Sequence, residues 1–472
     1  MNKTKILAAF LAFSSLISCT KDFEKINTDP NRISQISPGT LLNPTLYGMA
    51  SFNMERADAF TFDLMQVSLP FPSVTGGLHR YELTENTGSS TWNTYYRWIT
   101  NVKEMYGAAV KYENPNYQAI ALTLNAWIYS NLTDAFGDVP MDEASRGDEG
   151  IFRPRFNKQE EIYPKLLADL EEANSLYTST NKTTYGTDIL YENNFSKWRK
   201  FTNSLHMRLL LRLSNRPEME SYTKLRNMID NPSQYPVFTS NDDGAIIETT
   251  GIDPLVSPWG RPQDFTTFRA ASEFFVDNLV AMDDPRLSRF VSKATGAPTE
   301  YKGIPSGFDP SQQFNYTPSN LQQSLVIDPM AIPIFTYAEV EFIKAEVELH
   351  DGNAGAAQTA YEKGVKAAIE QWGLTMPSDY FTNPETAYDG SLERIMLQKY
   401  FALFFVDYQQ WFEYRRTGLP ALPQNAGMEN NGIMPSRLLY PIDVRNNNAQ
   451  NYQQAVEWMG GDDINTKVWW DQ

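Results

Sequence analysis

Over long stretches the chain repeats apolar residues three and four positions apart, the spacing that lines one face of an α-helix. Ala119, Leu122, Ala126, Tyr129, Leu132 and Thr133 form one such face. The same period predicts helices over 91–111, 158–176, 197–213, 337–350, 354–372 and 392–415. Alternating apolar and polar positions, the mark of a half-buried strand, are scarce. The interval from about 232 to 333 differs: prolines, glycines and aromatic residues follow one another without period, and only 265–282 is regular enough for a helix. The expected fold is therefore mainly α, a helical scaffold carrying an irregular, loop-rich lobe.

The helix over 337–350, a turn at Asp351-Gly352 and the helix over 354–372 make a hairpin of tetratricopeptide (TPR) length. Ala345, Ala357, Ala360 and Gly364 let the two helices approach closely, while Tyr361 and Trp372 fill the larger gaps. Other helix pairs match the period only loosely. A TPR-like scaffold and an ordinary antiparallel helical pair both fit the pattern.

The N-terminus follows other rules. Lys3 and Lys5 precede an apolar run over 6–18, too short to span a bilayer but suited to the core of a signal peptide. It ends in Leu16-Ile17-Ser18-Cys19, where a small residue precedes a thiol that can be acylated once cleavage frees its amine, as in a bacterial lipobox. Residues 1–18 are expected to be removed and Cys19 to carry the lipid, each buried methylene adding about 0.8 kcal/mol of membrane affinity. Residues 19–37, with turn chemistry at Asn27-Thr28-Asp29-Pro30-Asn31, read as a tether, and 38–472 as a single domain with its loop-rich lobe at about 232–333.

Composition narrows the partners. With 472 residues, 42% hydrophobic, the body can bury a sizeable core. Its formal charge of -17 opposes binding to nucleic acid or to anionic membrane surfaces, and loss of Lys3 and Lys5 would deepen that charge by two. One cysteine excludes an internal disulfide framework and a cysteine-based zinc site.

Several separated strings then become recognisable. Asn131-Leu132-Thr133-Asp134-Ala135-Phe136-Gly137-Asp138-Val139-Pro140 reads as a helix exit, followed by Asp188-Ile189-Leu190-Tyr191 and Trp198-Arg199-Lys200-Phe201-Thr202-Asn203-Ser204-Leu205. Later come Tyr337-Ala338-Glu339-Val340-Glu341-Phe342-Ile343-Lys344-Ala345-Glu346, Gln398-Lys399-Tyr400-Phe401-Ala402-Leu403, Trp411-Phe412-Glu413-Tyr414-Arg415-Arg416-Thr417-Gly418-Leu419-Pro420 and Lys467-Val468-Trp469-Trp470-Asp471. In this order, behind a lipobox, they resemble the SusD/RagB family of outer-membrane nutrient-binding lipoproteins, and its SusD-like branch in particular. Thr20-Lys21-Asp22-Phe23-Glu24 resembles the acidic start of surface-exported Bacteroidetes lipoproteins.

In physical terms most of these strings are scaffold. Gly137 and Pro140 stop a helix, and Arg415-Arg416 can bridge acidic groups between helices. For Asp134, Asp138, Asp142 and Glu143 two accounts stand: an acidic, solvated surface, or oxygen ligands for a structural calcium ion. No other cofactor is expected. His79, His206 and His350 lie far apart in sequence, outside His-Glu-x-x-His, and neither Gly-x-Ser-x-Gly nor a phosphate-cradling loop occurs. Acidic neighbours such as Asp242-Asp243 and Asp283-Asp284 are expected by chance among 57 acidic residues.

Aromatic residues are abundant: 10 Trp, 25 Tyr and 27 Phe. Sugar rings stack their C–H faces on such side chains, while their hydroxyls need planar polar partners. Two regions combine both. The first runs from 71 to 92 and offers His79, Arg80, Tyr81 and Trp92; the second runs from 259 to 316 and offers Trp259, Arg261, Tyr301 and Tyr316. Trp259, between Pro258 and Gly260-Arg261-Pro262, is the leading stacking candidate, whereas Trp98, Trp127, Trp198, Trp372 and Trp411 sit in helical patterns that predict core.

The resemblance implies a surface-exposed, lipid-anchored protein that binds glycans and hands them to a SusC-like TonB-dependent transporter, closing over it like a lid. A peptide receptor of the RagB kind, a glycosidase or peptidase on the same surface, and a protein-assembly scaffold are the alternatives.

Overall fold

The structure is a computed structural model that describes residues 37–179 and 185–472. Cys19, the signal segment 1–18 and the tether up to residue 36 lie outside the described residues. Residues Pro38–Gln472 form one compact unit.

In chain order the principal elements are α1 (Pro38–Arg56), β1 (Ser68–Pro70), α2 (Ser89–Lys111), α3 (Pro115–Phe136), α4 (Gln159–Leu176), α5 (Phe195–Arg212) and α6 (Ser221–Asp230). The loop-rich interval supplies β2 (Ala245–Glu248), the short α7 (Pro262–Thr266), β3 (Arg269–Ala271), α8 (Glu273–Ala281) and β4 (Ala331–Phe335). The chain returns to helices with α9 (Tyr337–His350), α10 (Ala354–Glu370), α11 (Leu392–Ala402), α12 (Gln409–Thr417) and α13 (Ala449–Met459). The fold is mainly α, as the periodicity predicts.

Consecutive helices pack side by side, α2 on α3, α3 on α4 and α4 on α5, and the α9–α10 hairpin rests on α5, α6 and α11. Their ends obey local chemistry. Asn114, Asn194, Thr336 and Ser391 each accept a backbone N–H at the start of α3, α5, α9 and α11. Gly137 ends α3 at φ 85°, a conformation open to glycine at little cost. In the hairpin, a Cβ on Gly364 would stand 3.0 Å from the Phe342 ring, so the small residue sets the approach of α9 and α10.

Two predicted helices are broken. The stretch 392–415 divides into α11 and α12, because Phe401, Phe404, Phe405 and Val406 are all fully buried and no single helix face could sink them together. Phe405 (φ 66°) and Asp407 (φ 37°) turn the chain, and the Asp407 carboxylate accepts from Tyr408 N and from the Asn131 and Gln409 amides. The stretch 265–282 divides into α7, β3 and α8: β3 pairs antiparallel with β1, Ala270 opposite Leu69, and Ser272 accepts from Phe275 N to start α8. β2 pairs antiparallel with β4.

The core is continuous through the helices and holds Trp127, Trp198, Trp411 and Trp470 without exposure. It also contains charge. Glu413 meets Lys399 (2.7 Å), Arg416 (2.7 Å) and Arg212 (3.2 Å). Arg416 continues to Glu346 at 2.6 Å, and Arg212 to Asp134 at 3.3 Å. Asp134 also accepts from the Tyr163 hydroxyl and the Trp470 indole.

The solvated-surface account of the acidic cluster is therefore corrected for Asp134 and Asp138 and holds for the exposed Asp142. Asp134 and Asp138 are buried, the latter accepting from Gln159 N at the start of α4, while Asp142 pairs with Lys165 and Glu143 with Arg155. The four carboxylates turn to separate partners instead of converging on one point. Among the described residues no group of three or more His, Cys, Asp or Glu is placed to hold a metal ion.

Candidate functional site

The two aromatic regions, nearly 200 residues apart in sequence, meet in space. β1 and β3 carry them together, and Phe71 N donates to Phe268 O at 2.8 Å just beyond the ladder. Arg80 ties the rest: its guanidinium donates to Val74 O (3.2 Å), Gly427 O (2.7 Å) and Phe308 O (2.7 Å). Gly427 passes so close that a Cβ there would lie 2.2 Å from Arg80 Nη1. Ser306 Oγ donates to His79 O, fastening the second region to the first again.

These bonds place the predicted side chains, and the first region is largely interior. His79, Arg80 and Tyr81 are buried; Trp92 is buried too, its ring packed against Tyr96, Phe136 and Tyr440. His79 and Tyr81 offer no ring face to solvent, because the segment around them folds under the loop at 306–308 and is closed over by the chain at 427–429; Trp92, 7% exposed, lines a hollow with Tyr96 and Phe152. Burial and the nearby Arg80 and Arg269 push the His79 imidazole down to about 4, so it is neutral at physiological pH.

Trp259 is half-buried. Its ring packs edge-on to Phe265 (5.3 Å) and beside Phe405 (6.1 Å). The proline and glycine around it do make a turn, but the turn directs the ring onto the core. Arg261 is exposed and paired with Asp264 at 2.7 Å. Tyr301 is half-buried against the core, and Tyr316 is half-buried with its hydroxyl donating to Gly303 O.

An open aromatic patch remains. Phe314 stands between Phe71 (6.0 Å), Phe308 (5.1 Å) and Tyr316 (5.6 Å). Phe268, whose carbonyl accepts from Phe71 N, is 77% exposed. Gln312, Gln313 and Asn315 alternate with these rings and are exposed. Rings interleaved with amides are what a polyhydroxylated ring needs: a flat apolar face and bidentate donor-acceptor edges.

Phe268 is the residue the periodicity hid, since its spacing from Phe265 fits a helix. It sits at φ 59°, a left-handed conformation rare for a bulky side chain and one that costs about 1–3 kcal/mol. A large apolar ring held in such a conformation and left in water adds little burial to the core. The signal that could have exposed it is Ser272-Glu273, a helix-start pair that leaves Phe268 outside α8.

A wide concavity, about 970 Å3, lies elsewhere, between residues 187–197, β2 and the end of α10. Its lining is polar, and its Tyr191 is 6% exposed with the hydroxyl given to Asp243 O, so it presents no open ring.

The family model described as SusD-like, "starch-binding associating with outer membrane", matches residues 30–441. No curated protein matches the chain. Among solved structures, a chitin-binding protein superposes with a TM-score of 0.80 at 25% identity, over 92% of this chain and 100% of its own. A SusD homologue from Bacteroides fragilis gives 0.78 at 24% identity, over 93% and 100%. A chitin-binding SusD homologue from Flavobacterium johnsoniae gives 0.77 at 21% identity, over 92% and 98%. The latter two speak for the fold. Among the described residues no helix is long and apolar enough to cross a membrane.

Proposed function

Because the chain belongs to the SusD-like family of outer-membrane-associated glycan-binding proteins, we propose that it is a surface-exposed, lipid-anchored receptor that holds an oligosaccharide across the patch of Phe71, Phe268, Phe314 and Tyr316. The glycan passes from there to a SusC-like TonB-dependent transporter, and the protein performs no chemistry on it. The observation that carries this reading is Phe268, exposed and held in a left-handed conformation where its backbone meets that of Phe71 at the end of the β1–β3 ladder. Arg261 and Asp264, on the short helix just before Phe268, supply a charged rim, and the lipid on Cys19 supplies the anchor. The buried Arg80 and His79 serve by joining the two loops that bear the rings.

Calorimetry of the full-length protein in detergent against maltoheptaose and chitohexaose, with product analysis of each mixture, tests the reading. Phe268→Ala should weaken binding by about five- to hundredfold, the loss of one stacked ring. Wild-type affinity in that variant removes the patch from consideration; binding of peptides in place of glycans overturns the substrate class, and turnover overturns the absence of chemistry.

A further inference from the structure

A second open ring lies away from this patch, on different elements. Trp458, near the C-terminal end of α13, is 44% exposed, and the Lys158 ammonium stands 5.5 Å from its ring centre, holding the indole in place. It walls a groove of about 470 Å3 whose other side is the strap between α3 and α4, residues 155–157. The volume falls within the range of small-ligand clefts, about 300–1,000 Å3. On the far side of the strap a second hollow of about 270 Å3 is lined by Phe152, which is 80% exposed.

The groove is built, not a gap between loose loops. Asn448 and Asn451 of the α13 segment donate to Pro154 O (2.7 and 3.3 Å), and Asn451 also to Arg153 O (3.0 Å), pinning strap to helix between the two hollows. Val139 and Asn157 exchange backbone hydrogen bonds, so the strap is anchored at its other end to the exit of α3. Two of the groove's carboxylates are paired, Glu143 with Arg155 at 2.6 Å and Asp142 with Lys165 at 2.9 Å, while Glu161 lines the groove exposed and outside these pairs. What meets a ligand is an indole, the outer nitrogens of Arg155, the Glu161 carboxylate and the exposed amides of Gln450 and Gln454.

We infer that the Trp458 groove is a second binding site for a stretch of uncharged oligosaccharide, separate from the Phe268 patch. A lining of three carboxylates against one guanidinium disfavours an anionic ligand and gives acceptors to hydroxyl groups. A groove with one flat ring and several planar polar groups suits hydroxyl-bearing rings better than peptide side chains, which need apolar pockets or a free strand edge. The inference rests on the glycan reading only for its choice of probes, because Trp458 reports for itself.

The experiment is fluorine NMR of full-length protein labelled with 5-fluorotryptophan, the Trp458 resonance being assigned by its loss in Trp458→Phe. The probes are maltoheptaose, chitohexaose, xylohexaose and a casein peptide digest. A glycan among these should shift the Trp458 resonance saturably in the wild type and also in Phe268→Ala/Phe314→Ala, where the first patch is disabled. Trp458→Ala should weaken the binding that persists in that double variant about tenfold or more. If a glycan binds the Phe268 patch by calorimetry while the Trp458 resonance stays still, the second site is refuted and the proposed function stands. If the resonance moves but Phe268→Ala binds as wild type, the second site stands and the first patch fails. Movement with peptides alone, or with none of the probes, refutes the carbohydrate assignment of the groove.

Discussion

Replacing Glu413 by Gln keeps the side chain's shape and removes one charge from the centre of the buried network. Three cations, Lys399, Arg416 and Arg212, lie within 3.2 Å of that carboxylate, and all are essentially without exposure. With Glu413 neutral, Glu346 still faces Arg416 and Asp134 still faces Arg212, but Lys399 has no anion left among the ion pairs of the described residues. An uncompensated buried charge costs about 3–5 kcal/mol. With an unfolding entropy of about 2.1 cal/mol/K per residue over more than 400 residues, roughly 0.9 kcal/mol/K, the melting temperature should fall by about 3–6 °C. Lys399→Met in the same chain removes the stranded cation, so the double variant should melt above Glu413→Gln alone. The pH dependence has a definite sign. The surrounding cations hold Glu413 well below the usual carboxylate range. Its contribution is therefore complete above the unfolded value of about 4.3 and is lost as pH falls through the depressed folded value. The gap between wild type and variant should stay constant from pH 8 to 5 and narrow below about 4. Differential scanning calorimetry reads all three quantities. A single variant melting within 1 °C of wild type at pH 7 would refute the network's role.

Phe268→Gly should leave melting unchanged or raise it by a degree or two, since a glycine relieves the left-handed backbone and an exposed ring buries little, while glycan affinity falls as in Phe268→Ala; a marked loss of stability would show the ring to be structural. Asp58, in the π turn Ala57–Thr61 below Trp259, is pushed up to about 6, chiefly by burial. The native state then binds its proton more tightly than the unfolded chain, so stability declines as pH rises from about 4 to 6, by an order of 3 kcal/mol; Asp58→Asn should flatten that slope in thermal melts and be the more stable protein at pH 7.5. Cys19→Ala should release the protein from the membrane fraction with its fold intact by circular dichroism, and an unmodified Cys19 in the wild type by mass spectrometry would refute the anchor.

The long helices were legible because each buries one face, and a buried face writes itself into the sequence at spacings of three and four. The same rule misled where the core surrounds the chain. Phe401 to Val406 reads as more helix, yet burial on all sides demands the turn at Phe405 and Asp407. Across 265–282 the helical spacing of Phe265 and Phe268 is coincidental: the first ring is 1% exposed and the second 77%. The candidate site was legible only in part, for a related reason. Sequence composition located both loops, but it could not say which aromatic in each would turn inward. Tyr81 and Trp92 went into the core, and Phe71, Phe268 and Phe314 went to its edge, because β1 pairs with β3 and Arg80 is drawn beneath Phe308. That pairing is non-local, and nothing within either loop encodes it.

The strings that carried the family resemblance have a physical reason to be the readable part. Asp134 comes from the helix exit of α3, Glu346 from α9, Lys399 from α11, Glu413 and Arg416 from α12, and Trp470 and Asp471 from the C-terminus. Five separate segments thus meet in one buried network, and Arg212 at the end of α5 completes it as the sixth. Charge in a core tolerates little substitution, since each carboxylate or guanidinium needs its counterpart at hydrogen-bond distance. A scaffold fixed this way yields recognisable words in a fixed order, however far apart they stand in the chain. The ligand-facing loops are under no such constraint: an exposed ring needs only a face and a nearby amide, which Gln312-Gln313-Phe314-Asn315-Tyr316 provides in one order and many other loops could provide in another. The sequence therefore names the scaffold, while the placement of Phe71, Phe268 and Phe314 is decided only when β1 and β3 pair in the folded chain.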